Sequence, residues 1–521
     1  MATMTLLEFA TDDMLTILLV KERAKYRGRN RSDKHHTLDK DYDLFELTPR
    51  KMLSRMMPPR ATWVQPRKRK KLANDTNDKR KNAEKALLIT IKRDRKLQAS
   101  GIAFPYLDEM VRFMNRIRQR LSSDGLRFES PRLIPIYKDQ EKQSDGTWKV
   151  TCRPLSVYAN LEDKIILALT SRYLTKYIDR YLHENILSYR PARFVFGMDH
   201  HVTDFNDGIR LIKAYRDAHD DCPIYAADCD IKKFYDIIPH QVVRDCFRRI
   251  LNQSRLSAEG IRQVMNVLEA YLSSYNFYTN AWLEARNNDE IFSKVRRRLH
   301  DKENKNTYQL KWVDEMMALP DEQRCHLGVS QGGALSLLVA NIVLNDVDQV
   351  FTQQYDPNRL FVRFCDDMIL LHTDYDECSR LLQKYADSLK CHGLHYHDFE
   401  SVGDRKHFWK IKSHLPFRWD DGDDNANRYI GFLGYEMRRD GRIRLRKSNI
   451  ERVKEKFDRQ KYALHRYSKK HTPEEIQQHK EQVLEKILKG VDFYEALNLQ
   501  QFRNGSQYGY LKRLKERLCH Y

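Results

Sequence analysis

The sequence lacks a C-x-x-C pair among its nine cysteines. That absence speaks against a structural zinc site and a disulfide framework, and implies a reducing compartment. No apolar run approaches the ~20 residues that a membrane span requires. The first twenty residues carry Asp12, Asp13 and only the short run "MLTILLV", so they do not read as a secretory signal. Internal repeats are absent too. The expected setting is the cytoplasm, away from membranes. Acid is the other scarce component: 73 Asp and Glu face 93 Lys and Arg, a formal charge of +20.

The 521 residues suffice for two or three domains, and 41% are apolar, enough for a core. An excess of positive charge raises the local concentration of phosphate and points to a nucleic-acid partner. Three basic blocks, "RGRNR", "PRKRKK" and "KRDRK", fall within residues 1–100. Such blocks are also what solvated faces look like. Because they are interleaved with Tyr26, Trp63 and the apolar "ALLITI", this stretch reads as a basic N-terminal extension suited to RNA.

Beyond it, "RLIPIYK" and "KVTCRPLSV" read as two strands around the polar turn "DQEKQSDGT". A helix follows in "LEDKIILALTSRYLTKYIDRYL". Residues 252–326 read as a mostly helical insert with a basic patch, "KVRRR". A further helix is expected near 376–391, then a strand, turn and strand around Asp440 and Gly441. The tail from 446 reads as helical. Ile450, Val453, Phe457 and Leu464 make one stripe, and "TPEE" forms a capping box ahead of a helix that Gly490 would end.

Two acidic sites stand out, each at the end of a strand-like run. One is Asp230 in "PIYAADCDIKKFYDII" and the other is Asp366 with Asp367 in "RLFVRFCDDMILLH". Most Asp-Asp pairs are surface turns, but these lie in apolar surroundings. Packed carboxylates repel and resist ionisation unless a cation neutralises them. Hard divalent ions do so through oxygen ligands, and two such ions serve nucleotidyl transfer. Between the acids lies "LGVSQGGALSLLVANIVLNDVD", whose glycines permit close backbone approach ahead of a helix.

In this order, "DIKKFYD", "SQGGALS" and "FCDD" resemble three successive palm motifs of reverse transcriptases, especially the group II intron-like bacterial lineage. "RLIPIYK", "RPLSVYANLEDKIILAL" and "LSYRPAR" resemble its fingers segments, and "YIGFLGYEM" is similar to its primer grip. The resemblance spans about residues 125–460. It implies an α+β right-hand polymerase fold: fingers and palm over 101–445, an antiparallel palm sheet bearing the aspartates, and a helical thumb over 446–521. It also implies that Asp230, Asp366 and Asp367 are the catalytic, metal-binding carboxylates for Mg²⁺ or Mn²⁺. Arg153 would contact the triphosphate, with Lys149 a second cation, although a solvated turn lysine fits that position equally. Tyr235 matches the gate that excludes a ribose 2′-OH, with a core palm tyrosine as the alternative. Gln331 and Gly332 match the segment against the incoming nucleotide.

Some positions depart from the family pattern. Ser330 replaces the usual proline, and Glu400 falls near the place of a lysine that would protonate pyrophosphate. The sequence assigns no general acid there, and His397 and Lys406 are the candidates to take that role. The short tail leaves no room for an RNase H domain, and the organisation most resembles the stand-alone abortive-infection and unknown-group enzymes of antiphage defence. The expected partners are an RNA template or associated non-coding RNA, a DNA product and dNTPs, with a homo-oligomer open. Three readings remain: templated synthesis, template-independent or protein-primed synthesis, and a non-catalytic RNA-binding scaffold.

Overall fold

The computed structural model describes residues 3–25, 51–64, 79–191, 203, 205–299, 301, 303–402, 405–420, 427–446, 449 and 472–477. Among these residues, the helices of twelve residues or more are α1 (Asp12–Lys25), α2 (Lys79–Ala99), α3 (Pro105–Ser122), α4 (Leu161–Tyr177), α5 (Phe205–Ala218), α6 (His240–Gln253), α7 (Ala258–Ser273), α8 (Ser336–Val347) and α9 (Tyr375–Cys391). The strands are β1 (Arg132–Lys142), β2 (Trp148–Val157), β3 (Tyr225–Asp230), β4 (Thr307–Leu310), β5 (Arg359–Phe364) and β6 (Asp367–His372). They continue with β7 (Phe399–Glu400), β8 (Ser413–Arg418), β9 (Tyr429–Phe432), β10 (Tyr435–Arg438) and β11 (Ile443–Leu445). No described helix is long and apolar enough to cross a membrane.

The chain divides into two compact units: residues 1–183, 232–347 and 389–395, and residues 184–231, 348–388 and 396–521. In the first, β1 and β2 pair antiparallel and β4 adds in parallel to β2. The pairing outlasts the expected strands. Its register shifts between Tyr137 and Asp139, so β1 continues through polar residues to Lys142. Residues 252–326 are therefore not wholly helical, because Thr307–Leu310 is the third strand of this sheet. Nor is "KVRRR" a uniform basic face, since Arg296 pairs with Asp289 and lies 5.1 Å over the Tyr308 ring.

Local chemistry sets the helices of this unit. Pro105 opens α3, which buries Leu107, Met110, Phe113, Met114, Ile117 and Leu121 on one face. The Asn160 side chain caps α4 by accepting from the Glu162 amide at 2.8 Å. Part of the first hundred residues packs into the same unit. Leu15, Leu18, Leu19, Leu87 and Ile91 are buried, and the Tyr173 hydroxyl donates to the Met4 carbonyl at 2.8 Å. "KRDRK" is partly internal, for Asp94 is buried, pairs with Arg93 and accepts from the Tyr106 hydroxyl at 2.7 Å. "RGRNR", "PRKRKK", the Ile450–Leu464 stripe and Gly490 lie outside the described residues. The "TPEE" box is formed: Glu475 Oε2 accepts from the Thr472 amide at 3.2 Å, and Thr472 Oγ1 from the Glu475 amide at 3.4 Å.

The second unit holds a five-stranded sheet in the order β5-β6-β3-β8-β7 and a three-stranded sheet in the order β11-β10-β9. The latter corrects the expectation of two strands. Leu433 and Gly434 adopt φ +50 and +85, and this extra tight turn splits "YIGFLGYEM" into β9 and β10. Ile209, Ile212, Val362, Ile369, Leu371, Trp419 and Phe432 share one core. Inside the unit, Arg363 and Asp348 are both fully buried and pair at 2.7 Å. Breaking such a pair from one side strands the other charge. Asp348→Ala is therefore expected to cost ~3–5 kcal/mol, read by urea unfolding, whereas Asp348→Leu with Arg363→Met together should cost less than the single change.

Candidate active site

The acids meet because β3 and β6 are neighbours in the five-stranded sheet. Their antiparallel register sets Asp230 directly opposite Asp367, at a separation of roughly 4.5–5.5 Å between Cα atoms. On the other side, Phe364 pairs with Asp367, so Cys365 and Asp366 alone connect β5 to β6. Cys365 adopts φ +58, a strained conformation for a non-glycine residue. What holds it is the buried Arg363, which donates to the Cys365 carbonyl at 2.8 Å and from Nε to Asp348 Oδ2 at 2.7 Å. The Arg363 backbone is pinned as well, donating to Asn185 O at 3.0 Å and accepting from Leu187 N at 2.9 Å.

Further groups surround Asp230. Its amide donates to Ser413 Oγ at 3.0 Å, and its carbonyl accepts from the His397 amide at 3.0 Å. Lys412 Nζ and His397 Nε2 stand 3.8 and 3.9 Å from Asp230 Oδ2. Two residues back on the same strand face, Asp228 lies against His414, whose Nδ1 is 2.8 Å from Oδ2 and whose Nε2 is 3.1 Å from Phe408 O. Both nitrogens of this buried ring thus face acceptors. Arg446 stacks 5.1 Å over Trp409. A Cβ on Gly431 would overlap the Arg446 guanidinium, so glycine there makes the room. Burial lowers the pKa of Arg446, opposed by the negative charges of Asp228, Glu436 and Asp367. Glu400 pairs with His407 at 3.2 Å, and the Lys406 side chain lies outside the described residues.

Asp367 records the strain of this gathering. Its carboxyl is pushed up to about 7, first by the protein packed round it and then by the charges of Asp366 and Asp230. The residue nevertheless keeps an exposed face, which leaves water or a cation a route to it. Hard oxygen donors that repel one another fit Mg²⁺ or Mn²⁺. The group with ligand spacing elsewhere, Cys246, Asp346 and His392, does not. There Arg249 donates to Asp346 Oδ2 at 2.6 Å and reaches Cys246 Sγ at 3.3 Å, so a guanidinium already supplies the positive charge.

The five residues assigned to the nucleotide all belong to the other unit. Lys149 and Arg153 are exposed on one face of β2. The Tyr235 ring packs edge-on to Phe234 at 5.2 Å, and its carbonyl accepts from Val329 N at 2.8 Å. Gln331 bridges to Leu155, its carbonyl accepting from Ser156 N at 2.9 Å. Gly332 adopts φ +89 where a Cβ would overlap Leu155 Cδ1, so the loop needs glycine at that position. Lys412, His414, Arg446 and Asp228 were missed from the sequence. Only Asp228 carried a signal, its two-residue spacing from Asp230 on a strand.

Residues 289–398 match the family model described as reverse transcriptase (RNA-dependent DNA polymerase). The matched segment, of the nucleotidyl-transferring type, includes Gln331, Gly332, Asp366 and Asp367. No curated protein sequence matches the chain. Among solved structures it is similar to apo telomerase from Candida tropicalis truncated from its C-terminal domain, at 13% identity over 61% of this chain and 55% of that one, TM-score 0.33. It is also similar to telomerase from Candida albicans in complex with a TWJ fragment of telomeric RNA, at 12% identity over 86% and 70%, TM-score 0.34. The chain thus spans about half the length of the first of these telomerases.

A raised carboxyl pKa has a defined sign. Asp367 favours folding when protonated, so its contribution is full below the unfolded value near ~4 and is lost as pH rises through about 7. The metal-free protein should lose melting temperature across that interval, and Mn²⁺ should restore it at pH 8. Asp367→Asn should flatten the metal-free profile; an unchanged profile would contradict this electrostatic account.

Proposed function

We propose that the chain is an RNA-directed DNA polymerase that adds dNTPs to a primer 3′ end at Asp230, Asp366 and Asp367. The observation that carries this reading is the facing register of Asp230 and Asp367 beside the Cys365–Asp366 turn, strained at Cys365. It is supported by the reverse transcriptase match over 289–398. A pair of divalent ions held by these three carboxylates would favour the ionised primer hydroxyl and neutralise charge on the departing pyrophosphate. Lys412 and His397, which stand 3.8 and 3.9 Å from Asp230 Oδ2, are the proposed proton donors to that pyrophosphate in place of the family lysine. Arg153 and Lys149 bind the triphosphate, and Tyr235 excludes the ribose 2′-OH.

The carboxylate test is direct. Asp366→Asn with Asp367→Asn should leave a folded protein whose dNTP incorporation falls on the order of a thousandfold or more. Undiminished incorporation would sink the assignment. The same primer-extension assay reads Lys412→Met, expected to slow turnover by roughly 10²-fold, and Tyr235→Ala, expected to admit ribonucleotides. If the enzyme belongs to the stand-alone defence lineage that its motifs resemble, the double Asn variant should also lose protection in a phage plating assay.

RNA is the proposed template and associated partner, held largely by the chain's ends. Residues 101–445 contain 50 Lys and Arg and 50 Asp and Glu, so the whole +20 excess resides in 1–100 and 446–521. A neutral middle with basic ends favours polyanion contact through the ends. Neutralising Arg67, Lys68, Arg69, Lys70 and Lys71 should weaken RNA binding and flatten its salt dependence by roughly 0.7–0.9 per lost phosphate contact. Extension of a preformed primer–template should change far less. Sequencing the nucleic acid that copurifies with the protein separates templated synthesis from untemplated extension.

A further inference from the structure

Asp236 lies in the short helix Phe234–Ile237 and is 1% exposed. A carboxylate so deeply buried is costly, and an apolar residue of similar size would avoid that cost. Its Oδ1 accepts from Gln331 Nε2 at 2.7 Å. Its Oδ2 has Lys233 Nζ at 3.7 Å and no hydrogen-bond partner among the described residues. The other groups facing it are Lys138 from β1 and the Tyr275 hydroxyl.

These contacts dictate which way the Gln331 amide points. An ionised carboxylate only accepts, so the NH₂ group must turn toward Asp236 and Oε1 must turn away. The backbone of Gln331 is tied at the same time through its carbonyl to Ser156 N at 2.9 Å, which leaves the side-chain amide as the adjustable part. We propose that Asp236 is a positioning residue that locks the Gln331 amide, so that the polymerase presents the incoming nucleotide with a hydrogen-bond acceptor in place of a donor. This rests on the polymerase reading above. Asn at position 236 would break the lock, because it brings one acceptor where Asp brings two. Lys233 takes that acceptor, the Asn NH₂ faces Gln331, and the amide flips.

Steady-state dNTP incorporation by the full chain tests this through a double-mutant cycle. Asp236→Asn and Gln331→Met should each raise the dNTP KM roughly tenfold, the worth of one hydrogen bond, with kcat little changed. The double variant should be no worse than Gln331→Met alone. Additive losses, or an unchanged KM in Asp236→Asn, would overturn the proposal. Wild-type protein that incorporates no nucleotide sinks the polymerase reading instead. If Asp236→Asn does not fold, the pH series decides. Burial holds the Asp236 carboxyl up at about 6, so the wild-type KM should rise as pH falls through that value. In Gln331→Met it should rise less, since the responding amide is gone. Equal pH dependence in the two proteins would refute the lock.

Discussion

Repulsion among Asp230, Asp366 and Asp367 is the constraint on which the second unit depends. Carboxylates on adjoining strand ends, one of them raised to about 7, oppose the register that brings them together. The sheet overrides them because β5 and β6 are mostly apolar away from their ends. Leu360, Phe361, Val362, Met368, Ile369, Leu370 and Leu371 are all buried, and each fully buried side chain of this kind contributes about 1.5–3 kcal/mol. Consecutive residues of β5 and β6 are buried, so both faces of these strands are packed and a slip in register would break that packing. The hydrophobic pattern thus enforces a geometry that the charges resist, and it leaves a centre that gains from a cation.

Support for that centre comes from polar groups behind it. Arg363 holds the Cys365 carbonyl and is held in turn by Asp348, and both side chains of that pair are out of water. Behind Asp230, Ser413, His414 and Asp228 continue the network toward Phe408. Strain at Cys365 persists only because these contacts over-determine the turn. Rigid positioning of this kind is what nucleotidyl transfer requires, since it gains chiefly from orientation and electrostatic stabilisation.

The insert and the termini divide the electrostatic labour unevenly. Arginines that read as a basic patch in 294–298 are in part internal fastenings, as Arg296 shows against Asp289 and Tyr308. Local composition misleads here because a guanidinium serves a ring face or a carboxylate as readily as a phosphate. The charge balance over the whole chain, neutral over 101–445, shows instead that the net positive charge resides in the two ends.

By itself the sequence determined the ends of β3 and β6 as acidic sites, the helix after "SQGG", the helix that became α4 and the capping box at Thr472. Each rests on short-range periodicity or on a side chain reaching two or three residues along. Thr307–Leu310 escaped notice because a four-residue strand has too few alternations to register, and it exists only through its pairing with β2. Likewise the turn at Leu433 and Gly434 lay hidden inside an apolar run. Lys412, His414 and Arg446 could not be found because nothing local distinguishes them from the chain's other Lys, His and Arg residues. Tertiary structure alone decided those roles, by laying β8 beside β3 and folding the residue after β11 onto Trp409. Local signals travel along the chain, whereas the charge environment of Asp230 is assembled across strands far apart in it.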